Sequence, residues 1–596
     1  MESHDDQFDG DEEAALRYAI ALSLQEPNAS MDGSTAQKPI ELDSDGSEDG
    51  DLENGPYCPP TPKRSAQLSD SNVAEPASAA PRLQSSSQAS SVGTQPGGLT
   101  AFGLDRKKME EERLARVAKR KAAHDDEAVG PPPRRAKIEG YSNAKPFTTA
   151  TATATHIISD ESNNELPYPK GIVKKTWVSG YPRQDDIKIE EILQKEHLEL
   201  AVLSSFQWDD EWVLSKIDIK KTKMVCIAFA SSEAQKEAMR SNVPRDRIRF
   251  CFPPMMPAGS MHSKLQLLKF PGYMRLVIPT GNLVPYDWGE TGVMENMVFL
   301  IDLPITTKPT SQLNEFGQEL CYFLKASGLD ESLINSLSKY DFSETNQYRF
   351  IHTIGQSHIG EAWQRTGYCG LGQAVKSLGL ATASDVELDY VVASLGSVNS
   401  DLISAIYNAA QGDNGLKEYE KRTTSNGKKK AGQKNEPSDH HKNFRIYFPS
   451  HETVTRSRGG KNSGGTICLQ SKWWDSATFP RDLVHDCKST RSGLLMHTKI
   501  LFVHRSCPGK LRTSWAYLGS ANLSESAWGR LVKDRVSGQP KLNCRNWECG
   551  VLLSVEGKAD KSGLEAFNNT IPVPMAVPSE AYDKANSKRP WLFLEA

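Results

Sequence analysis

Hydrophobic and polar positions divide the chain into two parts. Residues 1–165 are rich in Ser, Ala, Pro, Gly and charged residues and contain few aromatic residues. A segment of this kind cannot bury enough apolar surface to offset the entropy that it would lose on ordering. After residue 165, apolar runs such as 224–230 alternate with helical stretches such as 187–195. We therefore predict a disordered regulatory tail over residues 1–165, followed by an α/β region.

The tail contains one predicted amphipathic helix, over residues 12–26. Leu16, Ala19, Ile20 and Ser23 fall on one helical face behind an acidic start. This pattern resembles a ubiquitin-interacting motif, in which a small Ala lets an apolar patch approach a partner closely. The alternative is an ordinary amphipathic helix that packs against the body of the protein. Ubiquitin or ubiquitinated proteins are therefore expected partners of the tail.

Three basic clusters also lie in the tail, at residues 106–108, 119–121 and 133–137. Clusters of this kind are typical of nuclear import signals, and solvated surface charge is the alternative interpretation. We expect the nucleus as the main location of the protein and the cytoplasm as a second one.

Net charge and cysteine usage narrow the classes of function. The net charge is −4, whereas a protein that grips nucleic acid through bulk charge would be basic, so any phosphate contacts must be local. The ten cysteines include no Cys-x-x-Cys pair and no His/Cys cluster at zinc spacing, so we expect reduced thiols, no metal site and no cofactor. No run approaches eighteen apolar residues and no secretory signal is evident, so we expect no membrane contact.

The pattern His-x-Lys occurs three times, at residues 262–264, 440–442 and 497–499. Because composition alone gives roughly one chance match, context must discriminate between the copies. The first and third copies lead into the apolar runs 265–270 and 500–504, whereas the middle copy lies in a polar stretch. Residues two apart in a strand project from the same face. The first and third copies therefore each place a histidine beside a lysine.

Each of these two runs is followed by a Pro-Gly turn signal, at residues 271–272 or 508–509. A second apolar run follows the turn and ends in Asn282 in the first copy and in Asn522 in the second. A hairpin folded at either turn returns the asparagine to a position opposite its histidine.

A carboxylate introduces a third apolar run in each copy, Glu295 in the first and Glu548 in the second. Two copies of strand, turn, strand and acid-led strand indicate an internal duplication. Two half-sites that face each other would form one active site. We place the first repeat at residues 166–355 and the second at 356–596, with a flexible insertion at 412–443 where Gly, Ser, Asn and Lys dominate.

The duplicated His-x-Lys pattern, with its Gly/Ser-rich turn and asparagine, resembles the phospholipase D superfamily. Most members carry an Asp five residues after the Lys, where this chain has Lys269 and His504. That departure, together with the segments 280–282 and 520–529, is similar to the tyrosyl-DNA phosphodiesterase family, over nearly all of the region after the tail. The resemblance implies an α/β fold of two pseudo-symmetric phospholipase D-like α-β-α sandwich repeats.

The resemblance also implies a two-step mechanism at the end of a DNA strand. His262 would attack phosphorus and form a phosphohistidine, while His497 would protonate the departing tyrosine oxygen and then activate water. Lys264 and Lys499 would neutralise the non-bridging oxygens, which would replace the divalent metal of many nucleases.

Amides and carboxylates complete the implied catalytic set. Asn282 and Asn522 would donate hydrogen bonds to the phosphate oxygens as the transition state forms. Glu548 and Glu295 would each bond the far nitrogen of a histidine and fix its tautomer, as the acid does in a catalytic triad. For both acids the alternative is a purely structural carboxylate.

The resemblance further implies contacts to DNA from small residues, which could cradle a phosphate through backbone amides without net charge. The alternative is that these residues only form loops. The expected substrate is single- or double-stranded DNA with a 3′ adduct, the expected leaving group is a topoisomerase-derived peptide, and a monomer is expected. The predicted substrate-binding residues are Lys264, Lys499, Ser394, Gly396, Ser397, Ser520 and Ser524.

Two other classes of function stay open from the sequence. A lipid phosphodiesterase or a general nuclease of the same superfamily would use the same histidines. A ubiquitin-binding scaffold on a degenerate enzyme fold would use only the tail. Both His-x-Lys copies and both asparagines are intact, which favours an enzyme.

Overall fold

The computed structural model describes residues 166–307, 312–425, 442–504, 512–557, 563–582 and 588–593. The predicted tail, with its helix and basic clusters, lies outside the described residues, as do the first two residues of the middle His-x-Lys copy and the second Pro-Gly turn. All described residues belong to one of the two compact units of the chain. Among them, no helix is both long and apolar enough to span a lipid bilayer.

Twenty strands form the framework of the described region. Those of the first repeat are β1 (Ile172–Thr176), β2 (Asp186–Ile187), β3 (Leu200–Ser204), β4 (Lys223–Ile227), β5 (Ile248–Cys251), β6 (Leu265–Phe270), β7 (Tyr273–Pro279), β8 (Met294–Glu295) and β9 (Met297–Pro304). Those of the second are β10 (Tyr348–Thr353), β11 (Ser357–His358), β12 (Glu387–Val391), β13 (Phe444–Phe448), β14 (Val484–Asp486), β15 (Leu495–Met496), β16 (Ile500–His504), β17 (Arg512–Gly519), β18 (Arg530–Lys533), β19 (Pro540–Asn543) and β20 (Glu548–Gly557).

Eleven α-helices lie between the strands of the described region. They are α1 (Ile189–Leu193), α2 (Asp210–Lys216), α3 (Glu233–Ser241), α4 (Glu315–Ala326), α5 (Glu331–Ser336), α6 (Gly367–Ser377), α7 (Ser400–Ala410), α8 (Leu416–Ser425), α9 (His451–Thr455), α10 (Ser471–Trp474) and α11 (Glu525–Trp528). Several begin at side chains that accept a hydrogen bond from the first turn: Asp209 caps α2 through Trp212, and Asn399 caps α7 through Leu402.

The two large sheets have the same strand order and the same orientations. The first runs β2-β1-β9-β7-β6-β3-β4-β5 and the second runs β10-β20-β17-β16-β12-β13-β14. In each sheet the last three strands of this order are parallel and the other neighbours are antiparallel, apart from the extra edge strand β2. The predicted duplication and α/β fold class are therefore confirmed.

The predicted hairpin of the first repeat forms at its Pro-Gly turn. Strands β6 and β7 pair through Phe270 and Tyr273, which leaves residues 271–272 as a two-residue loop. Gly272 has φ +88°, a left-handed conformation that costs a glycine little because it has no Cβ atom. In the second repeat β16 and β17 also pair, and their connection lies outside the described residues.

Both sheets are buried on two faces, which explains why their strands have nearly continuous apolar sequences. Leu276 and Ile278 of β7 point into a central core that also contains Phe502 and Leu518 of the second sheet. Val277 points the other way, into a core shared with α1 and α2. The second sheet has an equivalent outer core with α6 and α7. The predicted α-β-α layering therefore occurs twice, and the two sheets share the middle layer.

Two predicted boundaries are wrong. The division at residues 355/356 falls after β10, but β10 pairs with β20 and so belongs to the second sheet. The predicted flexible insertion at 412–443 contains helix α8 in its first part, where Tyr419 is buried and Arg422 pairs with Glu418 at 2.7 Å. The composition of this helix is polar because only one of its faces contacts the core, so composition alone did not predict it. Residues 426–441 lie outside the described residues.

Candidate active site

Both predicted catalytic histidines lie just before the strand that their repeat places at the centre of its sheet. His262 precedes β6 and His497 precedes β16, and each is only 5% exposed. Lys264 and Lys499 are fully buried, and each ammonium donates to the main-chain oxygen of its own histidine, at 2.9 and 2.6 Å. The Nζ atom of Lys264 also lies 3.5 Å from Nε2 of His262. The lysine and histidine therefore share one side of the chain, as predicted.

The main chain of each histidine is held by the other repeat. The N–H of His262 donates to the carbonyl of Trp547 at 3.0 Å, and the N–H of His497 donates to the carbonyl of Glu295 at 3.2 Å. Just before His497, β15 pairs with β8 in a small parallel sheet that joins the repeats. The fold thus fixes both histidines at the boundary between the repeats.

The two half-sites also lie within electrostatic reach of each other. Burial lowers the pKa of His262 to about 4, and the charge of Lys499 from the other repeat contributes to the shift. Burial likewise lowers the pKa of His497 to about 4, with a contribution from Lys264. The ammonium of Lys499 also donates to the carbonyl of Thr280 in the first repeat at 3.3 Å, so groups of both half-sites meet here, as the predicted facing of the repeats requires.

Each imidazole is paired with a carboxylate from the opposite repeat. The Nδ1 atom of His262 lies 2.8 Å from Oε2 of Glu548, as predicted for that acid. The Nδ1 atom of His497 lies 3.1 Å from Oδ2 of Asp287, which is fully buried in a 3₁₀ turn. The prediction that Glu295 bonds a histidine ring is therefore wrong, and Asp287 is the functional residue that the sequence reasoning missed.

The register of the repeats explains this exchange. The carbonyl of Met297 accepts from the N–H of Thr280, and the N–H of Met297 donates to the hydroxyl of Thr280. Cys549 makes the same two bonds with Ser520. The equivalent of Glu548 in the first repeat is therefore Asn296. Glu295 lies one residue earlier in an extended segment, and its side chain must point the other way. Asn296 donates to the side chain of Asp287 at 3.2 Å. It thus helps to hold the acid that pairs with a histidine in place of an acid at position 296.

Glu295 lies instead in a buried cluster of charges. Its Oε1 atom accepts from the hydroxyl of Ser489, and its Oε2 atom lies 3.4 Å from Nζ of Lys175 and 3.3 Å from Nη1 of Arg491. None of these contacts involves an imidazole ring.

The protonation states suit a neutral nucleophile. Burial would raise the pKa of Asp287 and of Glu548, but the paired histidine and the neighbouring lysine lower both, so both acids are ionised. A neutral imidazole whose Nδ1 faces a carboxylate carries its proton there, which leaves Nε2 unprotonated. Burial also lowers the pKa of Lys264 to about 8 and that of Lys499 well below its usual value.

The predicted asparagines are held by the strand ends that follow β3 and β12. Oδ1 of Asn522 accepts from the main-chain N–H groups of Ala393 and Ser394, at 3.1 and 3.0 Å. Asn282 makes two bonds to Gln207, accepting from its N–H at 3.4 Å and donating to its Oε1 at 3.3 Å. Fixing the oxygen of Asn522 leaves its NH₂ group as a donor for a bound oxygen.

A cleft opens at this site, mainly along the second repeat. Ser397 is exposed, and Ser520 is fully buried with its hydroxyl donating to Glu548, so Ser520 supports the acid. Neither of these two residues lines the cleft, and the buried Lys264 and Lys499, also predicted to bind substrate, do not line it either. The predicted residues that line it are His262, Ser394, Gly396, Asn522, Ser524 and Glu548.

The predicted cradle of backbone amides is not supported at Ser394, Gly396 and Ser524. The N–H groups of Ser394, Gly396 and Ser524 are already bonded to Asn522 Oδ1, Leu523 O and Asn522 O. These three N–H groups are therefore not available to a phosphate in the cleft. Within the described parts of the chain, no group of three or more His, Cys, Asp or Glu residues has a metal-binding arrangement.

The two departures from the superfamily pattern lie outside this site. His504 ends β16 and bonds Asp389 at 2.8 Å, and Lys269 near the end of β6 pairs with Glu199 at 2.7 Å. Both strands begin at the site, so their far ends lie away from it.

Comparison with known proteins gives a consistent result. A family model described as tyrosyl-DNA phosphodiesterase matches residues 172–583, and one described as ubiquitin interaction motif matches residues 11–27. Tyrosyl-DNA phosphodiesterase 1 of Drosophila melanogaster is 27% identical over 358 residues, which cover 56% of this chain and 57% of the fly protein. The probable tyrosyl-DNA phosphodiesterase of Caenorhabditis elegans is 26% identical over 318 residues, which cover 50% of this chain and 63% of the worm protein.

The alignments thus span about three fifths of the length of these curated relatives. The crystal structure of the yeast tyrosyl-DNA phosphodiesterase has 18% sequence identity to this chain, covers 71% of it over 100% of the yeast chain, and superimposes with a TM-score of 0.51. A variant of the yeast protein gives a TM-score of 0.52 at the same identity and coverage. At this identity the likeness shows a shared fold.

Proposed function

We propose that this chain, which belongs to the tyrosyl-DNA phosphodiesterase family, is a DNA-repair phosphodiesterase that hydrolyses 3′-phosphotyrosyl and related 3′ adducts of DNA. The reaction would release a trapped topoisomerase peptide and leave a 3′-phosphate. One observation carries the proposal: two buried imidazoles are each paired with an acid of the opposite repeat, and each is accompanied by a buried lysine that bonds the main chain of that histidine.

The first step forms a covalent intermediate. The unprotonated Nε2 atom of His262 attacks phosphorus, and the bond between phosphorus and the tyrosine oxygen breaks. The departing oxygen takes a proton from His497. The pKa of His497 is about 4, and the negative charge of a bound phosphodiester raises it by favouring the imidazolium. Asp287 stabilises the same cation.

The second step restores the enzyme. His497, now neutral, takes a proton from water as the water oxygen attacks phosphorus, and the bond between phosphorus and His262 breaks. The 3′-phosphate leaves with both histidines in their starting forms. Throughout, Lys264 and Lys499 place positive charge beside the non-bridging oxygens, and the NH₂ group of Asn522 donates to one of them.

A direct test uses DNA that carries a 3′-phosphotyrosine, incubated with the full chain in the presence of a chelator. We expect conversion to a 3′-phosphate, no conversion by His262→Ala, and a DNA-linked covalent species in denaturing gels of a His497 variant. Faster hydrolysis of a phospholipid or of unmodified internal DNA would overturn the proposal in favour of a lipid phosphodiesterase or a general nuclease.

We also propose that the tail binds ubiquitin, because the ubiquitin interaction motif matches at residues 11–27. Titrating labelled ubiquitin with the full chain should perturb the spectrum of ubiquitin. Ala19→Asp, which puts charge on the apolar face, should abolish the effect while phosphodiesterase activity stays unchanged. Perturbation that survives this substitution would exclude residues 12–26 as the contact.

We further propose a mainly nuclear location and a monomeric state for this protein. The basic clusters at 106–108, 119–121 and 133–137 support a nuclear location with some protein in the cytoplasm. A monomer is sufficient for activity, because both half-sites come from one chain. Replacing all three clusters by Ala should remove the protein from the nucleus, and unchanged location would overturn this assignment.

A further inference from the structure

Glu295 is a fully buried carboxylate beside the site that the mechanism does not use. It lies in β8, the short strand that pairs with β15 immediately before His497. Its side chain contacts Ser489 and the cations of Lys175 and Arg491. A buried carboxylate is costly unless cations and donors surround it, so this arrangement is specific.

The cluster joins the two repeats. Lys175 lies in β1 of the first sheet and also donates to Thr490 of the second repeat at 2.9 Å. Arg491 comes from the second repeat, and its guanidinium donates to the carbonyl of Thr176 at 2.8 Å and to Asp186 at 2.9 Å. Residues 489–491 are thus attached to the first repeat by their side chains, six to eight residues before His497.

The same residues hold both ends of the segment 489–497, which ends at His497. The carbonyl of Glu295 accepts from the N–H of His497 at 3.2 Å, and β8 pairs with Leu495 and Met496. The side chain of Glu295 holds Ser489 and Arg491 at the other end of that segment. Glu295 therefore holds His497 in two ways. Its carbonyl bonds the N–H of His497 directly, and its carboxylate binds Ser489 and Arg491 in the segment that leads to His497.

Among the described residues, no equivalent charge cluster adjoins His262. Its main-chain N–H bonds the carbonyl of Trp547, which is the equivalent of Glu295, and the indole of Trp547 bonds the carbonyl of Pro254. In the described part of the chain the charge cluster thus adjoins His497, the histidine that gives a proton and then takes one in the proposed mechanism.

We propose that Glu295 is a positioning residue for His497: its ion pair with Arg491 holds the segment that aims the imidazole at the leaving oxygen. This inference rests on the proposed function. A loosened His497 should impair proton donation more than phosphorus attack, because His262 and its acid Glu548 lie outside the charge cluster. A leaving group that needs no proton should therefore be affected less than tyrosine.

The test compares two DNA substrates in single-turnover experiments with the full chain. One carries a 3′-phosphotyrosine and the other a 3′-phosphate esterified with 4-nitrophenol, a far more acidic phenol. For Glu295→Gln, which keeps the shape and removes the charge, we expect the rate on the tyrosyl substrate to fall at least roughly tenfold further than the rate on the nitrophenyl substrate.

Asp302→Asn is the matched control. Asp302 is an equally buried acid of the first sheet, paired with Arg275 at 2.7 Å on β7, away from His497. Its loss should destabilise the protein without distinguishing the two leaving groups. The combined variant Glu295→Gln/Arg491→Gln should lose little more than Glu295→Gln alone, because the pair acts as a unit. Equal losses on both substrates in Glu295→Gln would overturn the positioning role and leave the proposed function intact.

A second measurement does not depend on activity. In protein labelled at histidine nitrogen, Glu295→Gln should shift the ring signals of His497 and leave those of His262 in place, whereas Asp302→Asn should shift neither. Unmoved His497 signals would overturn the inference. Failure of the wild-type chain to cleave the phosphotyrosyl substrate would overturn the proposed function instead, and the ring signals would still decide whether Glu295 positions His497.

Discussion

The Nδ1 atom of His497 lies 3.1 Å from Oδ2 of Asp287, a carboxylate that belongs to the opposite repeat. His262 makes the equivalent contact at 2.8 Å to Glu548, again across the boundary. Neither repeat therefore contains a complete pair of imidazole and acid. Orientation of either ring requires the two repeats to be docked, so the contact between the repeats is part of the catalytic arrangement.

Asp287→Asn should impair both steps that use His497. An amide of the same shape no longer stabilises the imidazolium and favours the wrong tautomer, as loss of the acid does in a catalytic triad. We expect kcat to fall by roughly 10²–10⁴-fold, the range of general acid–base catalysis. Steady-state kinetics on a 3′-phosphotyrosyl oligonucleotide measure this, and denaturing gels should show the covalent intermediate.

Two variants control for this result. Glu548→Gln should slow formation of the intermediate, so that no covalent species accumulates. Asp209→Asn keeps an equally good helix cap at the start of α2, where the side chain accepts from Trp212 at 2.9 Å, and should leave kcat unchanged. Wild-type kinetics in Asp287→Asn would show that the acid has no part in the reaction.

Much of the fold could be predicted from the sequence because its signals are local. Alternating apolar runs and the turn at residues 271–272 specify the first hairpin, and the second His-x-Lys copy repeats the pattern. Duplication then predicts two half-sites that face each other. Helix α8 could not be predicted, because its polar residues predict a loop, while a narrow face with the buried residues Glu418 and Tyr419 attaches it to the core.

The acid partner of His497 could not be predicted by the same reasoning. Treating the repeats as identical selects the acid that directly precedes the third apolar run, which is Glu295. The structure places an amide, Asn296, at the equivalent position and supplies the acid from the turn five residues after Asn282, where the second repeat has Ala527. A tertiary contact between the repeats determines which acid pairs with His497, and the periodicity of the sequence does not indicate such a contact.

Acidification should destabilise the folded protein through its two buried histidines. Their pKa is about 4 when folded and about 6.5 when unfolded. Between these values the unfolded chain binds more protons, so the free energy of unfolding falls as pH is lowered from 6.5 to 4, by roughly 1.4 kcal/mol per pH unit for each histidine. Urea unfolding at several pH values measures this slope.

The slope should diminish in the double variant His262→Gln/His497→Gln, which has no imidazole to titrate. His451→Gln is the control, because His451 is exposed at the start of α9. An unchanged slope in the double variant would mean that other groups cause the acid instability.

Arg275→Met should destabilise the first repeat without changing the chemistry. Arg275 and Asp302 are both fully buried, and the guanidinium also donates to the carbonyls of Glu191 and Ile192 at 3.2 and 3.0 Å. Removing the cation leaves a buried, uncompensated carboxylate, which costs roughly 3–5 kcal/mol. Urea unfolding monitored by tryptophan fluorescence should show this loss, and the double variant Arg275→Met/Asp302→Leu should recover most of it.

Asn522→Asp should separate the two functions of this side chain. Its Oδ1 atom would still accept from the N–H groups of Ala393 and Ser394, so the loop keeps its conformation. The second oxygen would replace the NH₂ donor and place negative charge beside the phosphate, so kcat should fall at least roughly a hundredfold in single-turnover measurements. Asn399→Asp makes the same chemical change at the cap of α7, where Asp is as good a cap, and should retain full activity. If both variants were equally active, the NH₂ group of Asn522 could not be a donor to the transition state.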